Sequence, residues 1–225
     1  MIVYKNLTLV GTSHISKESK KQVVQTIVSS VPQFVAIELD KNRLKALLSN
    51  KKKGISIKDV ARIGIRGFLF ALAGSWVQNR LAKMVGTKPG AEMKAAVVSA
   101  AKVKARVALI DQDITVTIKK LFKTITFREY FRIVWDVVKS PFVKNKEVIS
   151  FDLNKVPSEE TIEKMVGLVK DRYPSIYKVL IHDRNVYMAR RLIKLMNTHP
   201  EDKIVAVIGA GHQKGMLEII KKAIV

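Results

Sequence analysis

Two of the four histidines in the sequence lie at the ends of apolar runs, each three residues after a glycine. His14 ends the stretch VGTSH, and His212 ends the stretch IVAVIGAGH near the other end of the chain. Two further apolar runs, FVAIELD and ARVALIDQD, end instead in acidic pairs, which are Glu38 with Asp40 and Asp111 with Asp113. Two imidazoles and a carboxylate suit a first-row divalent metal ion. Such an ion activates water and polarises carbonyl groups, so this residue set predicts hydrolytic chemistry.

These residues also have purely structural explanations. A histidine at the end of a strand can simply hydrogen-bond a loop. Glu38 and Asp40 can cap a helix that begins near Lys41, because carboxylates accept hydrogen bonds from the N–H groups at a helix N-terminus. The acidic pair after the ARVALI run can do the same for the helix that follows it. Spacing alone does not decide between a site and a set of caps.

The predicted elements explain how positions so distant in sequence can meet. LTLVGTSH, FVAIELD, ARVALIDQD and KIVAVIGAGH are typical of buried strands, and helical apolar spacing dominates between them. This alternation predicts an α/β fold with a mainly parallel central sheet, helices on both faces, and a single domain over residues 1–225. Residues 50–88 break the alternation and predict a helical insertion. Because the carboxyl ends of parallel strands share one edge, we expect the two histidines and the acidic pairs there.

A further helix is predicted over TFREYFRIVWDVVK. Its start has a capping-box pattern, in which Thr126 is followed three residues later by Glu129. Four aromatic residues follow helical spacing: Phe127, Tyr130, Phe131 and Trp135. This stripe favours a core face or an interface over a platform for stacking nucleic-acid bases.

Positive charge is concentrated in the middle of the chain. The sequence has 41 lysine and arginine residues against 19 aspartate and glutamate residues, a formal net charge of +22. Residues 41–150 contain 24 of the basic and 7 of the acidic residues. The asymmetry favours an anionic membrane surface or nucleic acid as a partner, although a lysine-rich solvated surface explains it equally well. No zinc-finger, RRM-type or Gly/Arg-rich motif is present, which argues against nucleic acid.

Composition also bears on the compartment. The chain has no cysteine, so disulfides and cysteine-ligated zinc sites are excluded. No basic leader with a long apolar stretch precedes the first strand. The most apolar run, residues 67–77, is shorter than the roughly 20 residues needed to span a bilayer. We therefore expect a cytoplasmic or membrane-associated protein.

Six segments occur in an order that resembles one known family: VGTSHISKES, VAIELDKNRLKALL, PGAEMKAAVVSA, LIDQDITVTIKK, DRNVYMARRL and VIGAGHQKG. Together they resemble the TraB/PrgY (pheromone shutdown) family, which is related to the Tiki metalloproteases and the GumN proteins. The wider superfamily includes erythromycin esterase and the haem-binding ChaN proteins. Residues 11–14 and 209–212 match the two G-x-x-H motifs of the family. Its glutamate matches Glu38, and two of its arginines match Arg43 and Arg184.

The resemblance implies metal-dependent proteolysis, as in the Tiki branch, or reduced activity of a secreted peptide signal, as in the bacterial pheromone branch. It also implies that a full-length form can carry transmembrane helices after this domain. Two positions depart from the family pattern. Asp183 stands where a glutamate is usual, and Gln112 stands where an arginine is usual.

The leading hypothesis is a metal-dependent hydrolase that acts as a peptidase on peptide signals. His14 and His212 would bind a divalent ion, which is Mn²⁺, Co²⁺ or Zn²⁺, and Glu38 would be the third ligand or the general base. Arg43 and Arg184 would stabilise an oxyanion or bind a substrate carboxylate. The acidic pair of the LIDQD segment would orient a histidine.

The alternative hypothesis is a non-catalytic, membrane-associated module that binds a peptide or another ligand. The basic stretch 41–150 is the observation behind it. Haem bound through a histidine is a third hypothesis, by analogy with ChaN. The apolar faces of the helices are also compatible with a homodimer.

Overall fold

A computed structural model of the protein describes residues 1–13, 17–49, 90–139 and 158–224. The predicted insertion at 50–88 lies outside the described residues, and so does His14. The fold and the site are therefore built below from the described ranges alone.

One sheet contains all the strands of the described ranges: β1 (Ile2–Tyr4), β2 (Leu7–Thr12), β3 (Phe34–Ile37), β4 (Arg106–Leu109) and β5 (Ile204–Gly209). Their order across the sheet is β1-β2-β5-β3-β4. β1 pairs antiparallel with β2 through a tight turn, whereas β2, β5, β3 and β4 pair in parallel. The mainly parallel sheet of the prediction is confirmed, and β1 is an addition to its four strands.

The helices of the same ranges are α1 (Lys17–Ser30), α2 (Lys41–Leu48), α3 (Ala91–Lys102), α4 (Ile114–Thr124), α5 (Phe127–Lys139), α6 (Glu159–Arg172), α7 (Pro174–Tyr177), α8 (Asp183–Thr198) and α9 (Ala210–Ala223). A π-helical turn, Lys178–His182, joins α7 to α8. One long helix therefore runs from residue 174 to residue 198. π turns are rare and are often found near functional sites.

Successive residues of a strand point to opposite faces, and β2, β3 and β5 are buried on both faces. β4 is not: Arg106 and Val107 are exposed, so the prediction of a buried strand in ARVALI is wrong. Among the described strands, β4 lies at the edge of the sheet and has a neighbouring strand on one side only. In β3, Phe34 and Ala36 belong to an apolar cluster with α8 and α9. Val35 and Ile37 belong to a second cluster with α1 and α3. This arrangement confirms the α/β fold with helices on both faces of the sheet, and it leaves the carboxyl edge of the sheet to polar side chains.

The aromatic stripe of α5 lies at the surface. Phe127, Tyr130, Phe131 and Trp135 are all exposed, so the stripe does not form part of the core. In the part of the chain that the structure describes, no helix is both long enough and apolar enough to cross a bilayer.

Candidate functional site

The carboxyl edge of the sheet brings together five side chains from separate segments. Glu38 directly follows β3, and Asp111 follows β4. Arg43 lies in the first turn of α2, and Arg184 is the second residue of α8. His212 lies in the first turn of α9, which begins directly after β5. We refer to these five residues as the edge cluster.

Glu38 is almost completely buried, with 2% of its surface exposed. Its backbone N–H donates to the Val207 carbonyl at 3.1 Å, which extends the pairing of β3 with β5 by one residue. Its Oε2 accepts a hydrogen bond from the Gly209 backbone N–H at 2.6 Å, and its Oε1 accepts one from Arg184 Nη2. Burying a carboxylate is costly unless charged and hydrogen-bonding partners compensate it. The guanidinium and the backbone amide provide that compensation.

Asp111 is shared by two arginines. Nε and Nη2 of Arg184 donate to its Oδ1 and Oδ2 at 3.1 and 2.7 Å, a two-point contact that fixes the orientation of both groups. Nη1 of Arg43 donates to the same Oδ2 at 2.9 Å. The backbone N–H of Gln112 donates to Oδ1 at 2.8 Å. The two carboxylates and two guanidinium groups of the edge cluster therefore balance in formal charge.

Arg184 connects the two carboxylates. Burial alone would lower the pKa of its guanidinium, but the negative charges of Glu38 and Asp111 and their hydrogen bonds outweigh burial and raise it. Its Nη1 also donates to the Leu180 carbonyl in the π turn at 3.3 Å. Arg184 is therefore a permanent positive charge, held by the acids and by the backbone of its own helix.

His212 is oriented by Asn185. The imidazole Nδ1 lies 2.6 Å from Asn185 Oδ1, and an amide oxygen only accepts hydrogen bonds, so Nδ1 carries a proton. In the neutral ring, Nε2 is then the unprotonated nitrogen. Nε2 lies 3.3 Å from Arg184 Nη1 and 3.5 Å from Glu38 Oε1. The basic nitrogen of the ring consequently faces the centre of the edge cluster.

The structure thus brings together four of the five predicted site residues: Glu38, Arg43, Arg184 and His212. The fifth, His14, is not among the described residues. The strand that leads to it ends at Thr12, which is in register with Gly209 at the same edge of the sheet. Within the described ranges, which leave out His14, no group of three His, Cys, Asp or Glu side chains is arranged to hold a metal ion.

The sequence left open whether the acidic pairs belong to a site or cap helices, and the structure shows one residue of each pair in each position. Asp40 accepts hydrogen bonds from the second and third N–H groups of α2 at 2.7 and 2.9 Å, and Asp113 accepts one from the second N–H group of α4 at 2.7 Å. Both are caps. Asp111 binds the two arginines, and it is Asn185 that orients His212.

Comparison with known proteins identifies the family of the chain. The model of the TraB/PrgY/gumN family matches residues 4–223. The chain belongs to this family. It is 34% identical over 222 residues to the uncharacterized protein MJ1365 of Methanocaldococcus jannaschii, with 96% of this chain and 54% of that protein covered. It is 26% identical over 234 residues to the TraB domain-containing proteins of Mus musculus and Homo sapiens, with 92% of this chain and 61% of those proteins covered. The chain spans about half to three fifths of the length of these relatives.

Asn185 supports the edge cluster of this TraB-family chain, and the sequence patterns do not reveal its role. A readable signal does exist in α9, where Gly215 occupies a helix interior that disfavours glycine. A Cβ atom added at Gly215 would lie 2.4 Å from Asn185 Nδ2. Glycine at that position therefore allows Asn185 to pack against α9 and to reach the imidazole.

A groove of about 580 Å³ lies beside Asn185, the hydrogen-bond partner of His212. Gly11, Gly211 and Gly215 also line the groove. Its volume falls within the range of about 300–1,000 Å³ that is typical of ligand sites. Of the three glycines, Gly211 has open space beside it, since an added Cβ atom would meet only Val166, at 3.7 Å.

Proposed function

We propose that this TraB-family chain is a hydrolase that acts on a carbonyl group of a peptide-like substrate at the edge cluster. The observation that carries the proposal is the meeting of Glu38, Arg184 and His212 at one edge of the sheet. A proton-accepting nitrogen, a carboxylate and a fixed positive charge are the groups that hydrolysis of an acyl bond requires.

His212 supplies the basic group of this proposal. Its Nδ1 is hydrogen-bonded to Asn185, so the ring cannot turn Nδ1 toward the cluster without breaking that bond. Histidines that bind metals in proteins are oriented in the same way, by a hydrogen bond from the second ring nitrogen. The same geometry serves a general base, because it directs the lone pair of Nε2 to one place.

A divalent ion fits part of this residue set. Glu38 Oε1 and His212 Nε2 are 3.5 Å apart, close to the roughly 3.3 Å expected of two ligands at about 2.0 Å from one tetrahedral ion. We propose that these two residues and His14 hold Mn²⁺, Co²⁺ or Zn²⁺. Such an ion, when bound, polarises a carbonyl group and makes water more acidic.

The position of Arg184 favours a second candidate, a hydrolase that needs no metal. Its guanidinium donates to Glu38 and lies 3.3 Å from His212 Nε2. A positive charge therefore already lies beside both the carboxylate and the imidazole that would bind the ion. In this alternative His212 is the general base, and the arginines stabilise the negative charge that develops on the carbonyl oxygen.

Arg43 is the arginine that we propose contacts the substrate. Its side chain is 35% exposed, compared with 14% for Arg184, and Asp111 accepts a hydrogen bond from its Nη1. It can therefore present further guanidinium N–H groups toward solvent while it stays anchored. Arg184, with both carboxylates bound to it, is proposed to hold the cluster in place.

A peptide-like substrate is proposed because of the groove beside Asn185. An extended chain in this groove would pass Asn185, which hydrogen-bonds His212 of the edge cluster. The non-catalytic binding module of the sequence analysis would use the same groove, and only an activity measurement distinguishes the two.

The test combines metal content with cleavage of a fluorogenic peptide library. We compare the wild type with His14→Ala, His212→Ala and Glu38→Gln, and we use His182→Ala as the control because His182 is an exposed histidine of the π turn. Metal dependence predicts that the first three variants lose bound metal and activity together while the control keeps both. Activity that survives chelation but is lost in His212→Ala supports the metal-free candidate. A folded wild type that cleaves no peptide with or without added metal would refute the hydrolase and leave the binding module.

A further inference from the structure

Helix α5 is attached to the rest of the molecule by its polar side. Glu129 Oε1 accepts a hydrogen bond from the Ser175 backbone N–H at 2.7 Å. Arg132 Nη1 donates to the Arg172 carbonyl at 2.6 Å. Asp136 pairs with the Arg172 guanidinium, whose Nε donates to it at 2.7 Å. In an ordinary surface helix the polar residues face solvent, whereas Glu129 and Asp136 of α5 face neighbouring segments of the protein.

The outward side of α5 is aromatic. Phe127 is 82% exposed, Phe131 66%, Trp135 58% and Tyr130 53%. The four positions follow the i, i+3, i+4, i+8 spacing that places side chains on one side of a helix. Scattered exposed apolar residues are ordinary, but four large rings on one side of one helix mark an interaction surface.

Exposed basic side chains accompany this surface in the sequence. Arg128 lies on α5 itself, and Lys119 and Lys123 lie on α4, the helix that precedes it. The acids of α5 do not offset them, because Glu129 is buried in its capping box and Asp136 is bound to Arg172. The aromatic side of α5 is thus combined with basic side chains whose counter-charges lie elsewhere.

We infer that α5 docks on an anionic lipid surface through its aromatic side. Tryptophan, tyrosine and phenylalanine favour the boundary between lipid headgroups and acyl chains, and basic side chains bind the anionic headgroups. A second copy of the chain is a poorer occupant of this surface. It would bring two basic surfaces together, each belonging to a chain with a formal net charge of +22. This inference is independent of the proposed hydrolase activity.

The test measures binding to phosphatidylcholine vesicles with and without about one third phosphatidylserine, a fraction that gives a strong surface potential. The variant is the double substitution Phe127→Ser and Phe131→Ser, which removes two exposed rings and leaves the net charge unchanged. The control is Val28→Ser, which removes an exposed apolar residue from α1. We expect binding of the double variant to anionic vesicles to fall roughly tenfold or more, and the control to bind as the wild type does.

A second readout locates the contact. The chain has two tryptophans, so Trp76→Phe leaves Trp135 as the sole tryptophan, which is excited selectively at wavelengths that tyrosine does not absorb. Lipids brominated on the acyl chains should quench its emission, and the emission should shift to shorter wavelength on binding. Far-UV circular dichroism checks that each variant is folded.

Three results would overturn the inference. The first is a wild type that does not bind anionic vesicles at low salt. The second is a double variant that binds as well as the wild type, or a Trp135 that brominated lipid does not quench, because another segment then carries the binding. The third is a wild type that forms a dimer without lipid and becomes monomeric in the double variant, which assigns the surface to a second copy.

Discussion

Replacing Arg184 by methionine tests whether this side chain holds the edge cluster together. The substitution keeps most of the aliphatic volume and removes the guanidinium that binds both Glu38 and Asp111. Removing one partner from a buried ion pair typically costs about 3–5 kcal/mol, because a buried charge is left without compensation. Asp111 keeps the hydrogen bonds from Arg43 and Gln112, so the loss falls mainly on Glu38. We therefore expect destabilisation near the lower limit, about 3 kcal/mol.

Thermal unfolding followed by far-UV circular dichroism measures this effect. For a chain of this size, a loss of about 3 kcal/mol lowers Tm by roughly 6–12 °C. The matched control is Arg190→Met on the same helix, where the arginine is exposed and a change within about 0.5 kcal/mol is expected. A second variant combines Arg184→Met with Glu38→Gln, which removes the orphaned charge. The double variant should be more stable than the sum of the single effects by about 1–2 kcal/mol. Equal stability of the two arginine variants, or strict additivity in the double variant, would refute this account of the cluster.

Three further predictions concern the supports of the site and of α5. Gly215→Ala should destabilise the protein by about 1–3 kcal/mol in urea unfolding, because the added methyl group meets Asn185 Nδ2. Gly167→Ala in α6 is its control and should be neutral or stabilising, because nothing lies within 4 Å of the added atom. If the proposed function is correct, Asn185→Ala should lower kcat/KM by roughly 10–100-fold without loss of fold, and a smaller effect would mean that His212 needs no orientation from Asn185. Burial alone would raise the pKa of Glu129, but hydrogen bonds from Ser175 and Thr126 outweigh it and lower the pKa below its ordinary value of 4.5. The stability advantage of the wild type over Glu129→Gln should therefore be complete above about pH 4.5 and disappear as the pH falls through the lowered pKa, which urea unfolding across this range measures.

The central strands could be predicted because β2, β3 and β5 are buried on both faces. A strand covered on both sides must be apolar at nearly every position, so runs such as IVAVIG are readable without any alternation. The two edge strands do not follow this rule. β4 is exposed at Arg106 and Val107, and β1 is a three-residue strand in which Val3 is exposed and its neighbours are half-buried. The turn that precedes β2 also lacks the usual glycine, since Lys5 itself adopts a φ of 51°. The sequence pattern therefore does not separate β1 from β2.

The sequence predicts which residues lie at the edge of the sheet better than it predicts which of them bind each other. The strand order places Glu38, Asp111 and His212 at one edge, and that follows from counting parallel strands. The pairing of Arg184 with both acids depends on where α8 begins relative to the sheet. The π turn contains one residue more than an α-helical turn, and this extra residue determines where α8 begins. The spacing of apolar residues in the sequence does not reveal it.

The two acidic pairs show why residue type alone could not separate a site from a cap. In both E-L-D after β3 and D-Q-D after β4, the first acid binds Arg184 and the second caps the next helix. The cap position is set by the first turn of the helix, and the residue two places earlier still belongs to the end of the strand. The same chemical group thus serves two purposes according to its distance from the helix start.

The hydrogen bonds of Glu38 bear on which residue can accept a proton. Its Oε2 is bound by a backbone N–H and its Oε1 by a guanidinium, and donors of this kind favour the carboxylate over its protonated form. A carboxylate held in this way is a poor general base unless Arg184 moves. His212 is less restrained. Arg184 Nη1 also faces its Nε2, but at 3.3 Å, whereas both oxygens of Glu38 are bound more closely. The hydrogen bond that Nδ1 donates to Asn185 makes Nε2 a better acceptor. In either proposed mechanism the proton-accepting role therefore belongs to His212 or to water activated at a bound ion. Glu38→Gln should then abolish metal binding if the ion is essential, but should leave measurable activity if His212 acts alone.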